Sequence, residues 1–161
     1  RNILNNNIYL NLIDSIQNIS KDRKDWPNKV YKYILKKYNI TNYKIGVLGI
    51  SYKENTSSIK NSPSINFLKK INNDTTINIY DPIVNKVNIS KKLNYSKSIL
   101  SLIKNSDLIF ILTPWKDFNI LNKNYHLSII KDKFVIDPYA VMNENNSYKI
   151  KFYFRLGKKY V

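Results

Sequence analysis

The stretch KIGVLGISYKENTSSIKNSP, residues 44–63, decides the fold of this chain. Its first part, residues 44–50, is a short apolar run with β-branched residues and two glycines, which is typical of a buried strand. A polar loop covers residues 51–61, and Ser62 followed by Pro63 is a common beginning of a helix. A buried strand, a loop and a helix in this order predict the first part of a parallel β-α-β unit.

The chain beyond this stretch repeats the alternation of strand and helix. Further strands are predicted over residues 76–80, 107–112, 133–136 and 150–154, and further helices over residues 98–105 and 124–131. Strands that alternate with helices pair in parallel, so the pattern predicts an α/β fold, a Rossmann-like open parallel sheet with helices on both faces. Ligands of such sheets bind at the carboxyl ends of the strands. The loops at that edge would follow Ile50, Tyr80, Leu112 and Ile136.

The first part of the chain has a different pattern, with apolar residues at helical spacing and no glycine before Gly46. Two helices are predicted, with a break in the charged stretch at residues 20–27, where Pro27 suits the first turn of the second helix. We therefore expect a helical linker over residues 1–42 and an α/β domain over residues 43–161.

Composition narrows the classes of function. The net charge of +16 favours nucleic-acid binding, but only three of the 27 basic residues are arginines and the lysines are scattered. No apolar run approaches the roughly 18 to 20 residues of a membrane span. We expect a cytoplasmic protein that binds neither nucleic acid nor a membrane. A basic RNA-binding domain remains an alternative, which requires clustered arginines and aromatic residues on a sheet face.

Few residues suggest catalytic or metal chemistry. The chain has no cysteine, which excludes disulfides and a cysteine nucleophile within it, and His126 is its only histidine, in a predicted helix where we expect it to pack. No metal site is predicted. Lys53 lies in the polar loop after the first strand, where a cation and backbone N–H groups can hold phosphate, although no GxGxxG or P-loop motif is present.

Taken in order, these segments resemble the UDP-glucose/GDP-mannose dehydrogenase family of nucleotide-sugar 6-dehydrogenases. Residues 44–63 resemble the family motif (I/V)xxLGxxFKxxTxDxRxSP, and IYDP at residues 79–82 resembles its xYDP. DLIFILTPWKDF at residues 107–118, VID at residues 135–137 and LGK at residues 156–158 follow at the family's spacing. The resemblance identifies the C-terminal UDP-binding domain, preceded by part of the central helical linker.

The resemblance implies the function and the site residues. Members of the family oxidise the C6 alcohol of a nucleotide sugar to a carboxylate with NAD and a catalytic cysteine, and the central helix builds a homodimer. Lys53 and Tyr52 would bind the nucleotide-sugar substrate, and Lys60 would contact the diphosphate of NAD. Residues 1–13 align with the segment just after the catalytic cysteine, which places Asn2 on a catalytic aspartate. Because the chain begins at Arg1, we expect a fragment of a longer protein.

Three departures from the family pattern leave a second function open. DPYA at residues 137–140 replaces a motif whose arginine contacts the nucleotide, so that Tyr139 stands near its position. Ser57 and Ser58 replace two acids, and Asn2 replaces the aspartate. The alternative is a noncatalytic nucleotide-sugar-binding or assembly module. The sequence does not identify the sugar.

Overall fold

A six-stranded sheet, in which every neighbouring pair of strands is parallel, forms the centre of the computed structural model, which describes residues 5–158. The strands are β1 (Lys44–Leu48), β2 (Thr76–Tyr80), β3 (Leu93–Tyr95), β4 (Leu108–Ile111), β5 (Phe134–Ile136) and β6 (Phe152–Phe154). Their order across the sheet is β3-β2-β1-β4-β5-β6. The order therefore reverses between β1 and β4, which is the point where open sheets of this type bind ligands.

Helices cover both faces of the sheet. They are α1 (Asn5–Tyr38), α2 (Pro63–Lys70), α3 (Ile99–Lys104), a 3-10 helix (Lys116–Asn122), α4 (Asn124–Ile130) and α5 (Glu144–Ser147). Side chains of α1 and α2 form one core with the sheet, and side chains of α3, α4 and the 3-10 helix form a second core on the other face. The predicted fold class, a Rossmann-like open parallel sheet with helices on both faces, is confirmed.

The central strands are apolar along their whole length because both of their faces are covered. In β4, Leu108 and Phe110 point into the core under α1 and α2, whereas Ile109 and Ile111 point into the core under α3 and α4. Gly46 in β1 lies against α3, where a Cβ atom would come within 2.6 Å of Leu102. The close approach of helix and strand therefore requires glycine at this position.

The first part of the chain contains one continuous helix where the sequence predicted two. α1 runs from Asn5 to Tyr38 with Pro27 inside it, and residues 20–27 contain no break. Pro27 cannot donate a hydrogen bond to the carbonyl of Arg23, which weakens the helix at this turn. Pro27 and its neighbour Trp26 are, however, buried. Burial of this turn compensates for the missing hydrogen bond, so tertiary packing overrides the local signal.

The two halves of α1 have different surroundings. The C-terminal half packs on the sheet through Trp26, Val30, Tyr31 and Ile34, which are all buried. The N-terminal half carries large apolar side chains that are each 48% to 68% exposed. This exposed apolar face consists of Tyr9, Leu10, Leu12, Ile13, Ile16 and Ile19. None of the helices within residues 5–158 combines the length and the apolarity that a membrane span requires.

Three short elements were not predicted, namely β3, the 3-10 helix and α5. β3 lies at the edge of the sheet and exposes two of its three residues. Its sequence, LNY, therefore lacks the apolar run that predicts a buried strand. The 3-10 helix starts without a side-chain cap. The bounds of the predicted strands otherwise agree with the structure to within one or two residues.

Candidate functional site

A cavity of about 380 Å³ lies at the carboxyl ends of the central strands, against α1. We call it the carboxyl-edge cavity. α1 contributes Arg23 and Lys24 to its lining, the loop after β1 contributes Tyr52 and Lys53, and the loop after β5 contributes Tyr139. Three cations and two phenol rings thus meet on one cavity, together with proline and leucine side chains. This combination suits an anionic ligand that also carries a flat apolar group.

Tyr139 is held close to Arg23 and Tyr52. Burial raises the pKa of the Tyr139 hydroxyl above its ordinary value, the positive charge of Arg23 partly offsets that rise, and Tyr52 adds to it. Since charges interact in this way only at short range, the loop after β5 and helix α1 present their polar groups to the same space.

The backbone that leads to Tyr52 and Lys53 is fixed by hydrogen bonds. We call residues 49–51 the 49–51 turn. Its N–H groups donate to Tyr80 O (Gly49, 2.8 Å) and to the Asp81 carboxylate (Ile50, 2.9 Å; Ser51, 3.0 Å). Its carbonyls accept from Ser64 Oγ (Gly49, 2.7 Å), Ser62 Oγ (Ile50, 2.8 Å) and Thr113 Oγ1 (Ser51, 2.7 Å). Every backbone polar group of the turn therefore has a partner, which holds the following loop in one place.

Asp81 is the centre of this arrangement. Its Oδ2 accepts hydrogen bonds from the 49–51 turn and from Trp115 Nε1 at 3.3 Å, and its Oδ1 accepts from the N–H groups of Ile83 at 3.0 Å and Val84 at 2.9 Å. Burial alone would raise the pKa of the Asp81 carboxyl, but hydrogen bonds from backbone N–H groups outweigh burial and lower the pKa below its ordinary value. The carboxylate is therefore charged and structural.

Asp137 fixes the loop that carries Tyr139. It is fully buried and accepts hydrogen bonds from Tyr139 N at 3.3 Å, Met142 N at 2.9 Å and the Tyr153 hydroxyl at 2.9 Å. Burial raises the pKa of the Asp137 carboxyl, and these hydrogen bonds offset only part of the rise. Two buried aspartates thus support two loops of the carboxyl-edge cavity.

The structure brings together some of the residues that the sequence singled out. Tyr52 and Lys53 both line the carboxyl-edge cavity, whereas Lys60 is exposed and is not part of its lining. Asn2 lies outside the described residues. Within residues 5–158 no group of three or more His, Asp or Glu side chains is arranged to hold a metal ion.

Sequence reasoning missed the contribution of α1 to the cavity. Arg23 and Lys24 belong to the charged stretch that predicted a helix break, and nothing in their spacing separates them from the other surface cations. In the sequence, Asp81 stands out only as part of the IYDP motif at residues 79–82. Its position directly after a buried strand was the available signal, since a carboxylate there can accept hydrogen bonds from neighbouring rim loops.

The sequence matches one protein-family model and several known proteins. The family model described as UDP-glucose/GDP-mannose dehydrogenase family, UDP binding domain, matches residues 46–144. A UDP-glucose 6-dehydrogenase of Rickettsia felis is 34% identical over 121 residues, which cover 71% of this chain and 27% of the relative. A UDP-glucose 6-dehydrogenase of Rickettsia bellii is 28% identical over 166 residues, covering 97% of this chain and 38% of the relative.

Solved structures show the same fold. A UDP-D-ManNAc dehydrogenase from Pyrococcus horikoshii superposes with a TM-score of 0.67 at 24% identity, covering 87% of this chain and 32% of that structure. The chain spans less than two fifths of the length of these relatives, 27% and 38% of the two Rickettsia proteins. From the family match over residues 46–144, the chain belongs to the UDP-glucose/GDP-mannose dehydrogenase family and contains its UDP-binding domain.

Proposed function

We propose that this chain is the nucleotide-binding part of an NAD-dependent UDP-sugar 6-dehydrogenase, and that the carboxyl-edge cavity binds the UDP portion of the substrate. The observation that carries the proposal is the convergence of Tyr52, Lys53 and Tyr139 on a cavity at the ligand-binding edge of the sheet. A volume of about 380 Å³ lies within the range of small-molecule sites, roughly 300 to 1,000 Å³.

Different residues of the cavity bind different parts of UDP. The ammonium of Lys53 donates charge-assisted hydrogen bonds to the diphosphate. The rings of Tyr52 and Tyr139 offer flat apolar surface to the base. The 49–51 turn fixes the backbone before Lys53, so less conformational freedom is lost when the ligand binds.

The longer protein would oxidise the C6 alcohol of the sugar to a carboxylate. The resemblance implies a covalent step on a cysteine, and these 161 residues contain no cysteine. NAD, when bound, would be the hydride acceptor. Lys60 is the residue of this chain that would contact it, because an exposed ammonium suits a diphosphate. We place the protein in the cytoplasm, with residues 1–42 as linker and residues 43–161 as the nucleotide-binding domain.

Replacing Lys53 with alanine weakens UDP binding by about 1.5 to 3 kcal/mol, the range for loss of a charge-assisted hydrogen bond. Titration calorimetry with UDP on the wild-type chain and on Lys53→Ala measures the difference. Lys60→Ala is the matched control, since it removes the same charge from the same loop and leaves UDP affinity unchanged. In the longer enzyme, Lys60→Ala lowers NAD affinity instead. Equal UDP dissociation constants for wild type and Lys53→Ala contradict the proposal, as does a wild-type chain that does not bind UDP.

A noncatalytic nucleotide-sugar-binding or assembly module is the second candidate. The serines at positions 57 and 58 and Tyr139 favour it, because they stand where the family has two acids and an arginine. Both candidates require UDP binding, so an oxidation assay separates them. Formation of NADH from UDP-glucose by the longer protein supports the enzyme, and UDP-sugar binding without NADH formation supports the module.

We propose that the exposed apolar face of α1 pairs with a second copy of the protein. Its large apolar side chains lie along one half of α1, and a contiguous apolar patch of this kind is typical of an interaction surface. Ile16→Glu therefore shifts the full-length protein from dimer to monomer in light scattering. Ile83→Glu is the control, since Ile83 is 45% exposed but lies outside α1. A mass that is the same for wild type and Ile16→Glu argues against this interface.

A further inference from the structure

Helix α1 contributes a guanidinium to the carboxyl-edge cavity. We infer that Arg23 of α1 binds the diphosphate of the nucleotide, together with Lys53, and that this contact holds α1 over the bound ligand. The inference rests on the proposed function and adds a second element to the binding site.

Arg23 reaches the cavity from a different element than Lys53. It lies in α1, whereas Lys53 lies in the loop after β1, and both line the same space of about 380 Å³. The pKa of the Tyr139 hydroxyl responds to the charge of Arg23, which places the guanidinium near the loop after β5 as well. Cations on two elements can contact a diphosphate from two sides.

The charge of Arg23 is not neutralised by its neighbours. Asp22 forms an ion pair with Lys29, and Asp25 forms one with Lys70. Among the ion pairs of residues 5–158, none includes Arg23. The acids on either side of Arg23 are thus engaged elsewhere, and the cavity keeps an excess of positive charge that an anionic ligand can satisfy.

The position of Arg23 is fixed by the packing of the next helical turn. Trp26 and Val30 are buried in the core under α1, so the backbone near Arg23 is held although its side chain is exposed. A guanidinium presents its donors in a planar fork that matches two phosphate oxygens, which an ammonium cannot do. Together with the Lys53 ammonium, which reaches the cavity from another element, this guanidinium favours a diphosphate over a single phosphate, because each phosphate can contact one cation.

Calorimetry on this chain tests the inference with UDP, UMP and NAD as ligands. Arg23→Ala weakens UDP binding about ten- to a hundred-fold and UMP binding less, and Arg23→Lys restores part of the loss. Lys21→Ala is the matched control, because Lys21 is an exposed cation of the same helix that does not line the carboxyl-edge cavity. It changes UDP affinity less than about two-fold.

Amide hydrogen exchange supplies a second measurement. UDP protects residues 20–28 from exchange in the wild-type chain, and this protection is lost in Arg23→Ala although the variant unfolds at the same denaturant concentration as wild type.

If the wild-type chain binds UDP and Arg23→Ala has the UDP affinity of Lys21→Ala, the role of Arg23 is refuted while the proposed function stands. A larger loss for NAD than for UDP also overturns the inference. A wild-type chain that fails to bind UDP refutes the proposed function itself.

Discussion

Replacing Asp81 with alanine lowers the free energy of unfolding by about 3 to 5 kcal/mol, because several buried donors lose their acceptor together. The N–H groups of Ile50, Ser51, Ile83 and Val84 and the indole of Trp115 all donate to this carboxylate. Urea unfolding followed by tryptophan fluorescence measures the change. Asp74→Ala is the control, since Asp74 is exposed, and it costs less than about 0.5 kcal/mol.

The same carboxylate makes stability depend on pH. The pKa of Asp81 is lower in the folded chain than its ordinary value of 3.8. The stabilisation is therefore fully present above this unfolded-state pKa and is lost as the pH falls toward the folded-state pKa. Asp81→Asn keeps the shape but has no proton to bind, so its unfolding free energy falls less steeply below pH 4. Identical slopes for wild type and Asp81→Asn, or an Asp81→Ala as stable as Asp74→Ala, would contradict this role.

Replacing Gly49 with alanine destabilises the chain by about 3 kcal/mol, as the sum of backbone strain and overlap. Gly49 has a φ of +86°, and a Cβ atom there would lie 2.5 Å from Thr113 Cβ and 2.9 Å from Thr113 N. The backbone atom cannot move without disturbing the hydrogen bond from Leu112 N to Leu48 O, which joins β4 to β1.

Gly157 provides a matched control for this prediction. It has a φ of +82°, and a Cβ atom there would meet nothing within 4 Å. Gly157→Ala therefore suffers the backbone strain alone, about 1 kcal/mol. Urea unfolding of the two variants separates strain from overlap. Equal losses for Gly49→Ala and Gly157→Ala would show that the contact with Thr113 relaxes freely.

The sheet was predictable because the signals for it are local. Each central strand is a short apolar run, and the Ser62-Pro63 pair marks the start of α2, where the Ser62 side chain accepts a hydrogen bond from Ser64 N. Placing Tyr52 and Lys53 at the carboxyl edge followed from topology alone, since every loop after a parallel strand lies at that edge. These features depend on residues that are close together in the chain.

The features that were missed depend on distant residues. Pro27 is a strong local signal for a helix break, but Trp26 and Ile34 bury the surrounding turns against strands that come later in the chain. Arg23 likewise becomes a cavity residue only when α1 lies beside the loops that hold Lys53 and Tyr139. Residue propensities and apolar spacing give no information on such contacts, because only the packed fold brings these residues together.

The continuity of α1 has a mechanical consequence. A helix of 34 residues is about 50 Å long, and roughly 30 Å of it lies before the buried turns that begin at Trp26. A stiff rod held at one end acts as a lever, so a tilt of about 10° at the buried half displaces the other end by roughly 5 Å. Small adjustments of packing near the carboxyl-edge cavity therefore displace the exposed apolar face of α1 by several ångströms.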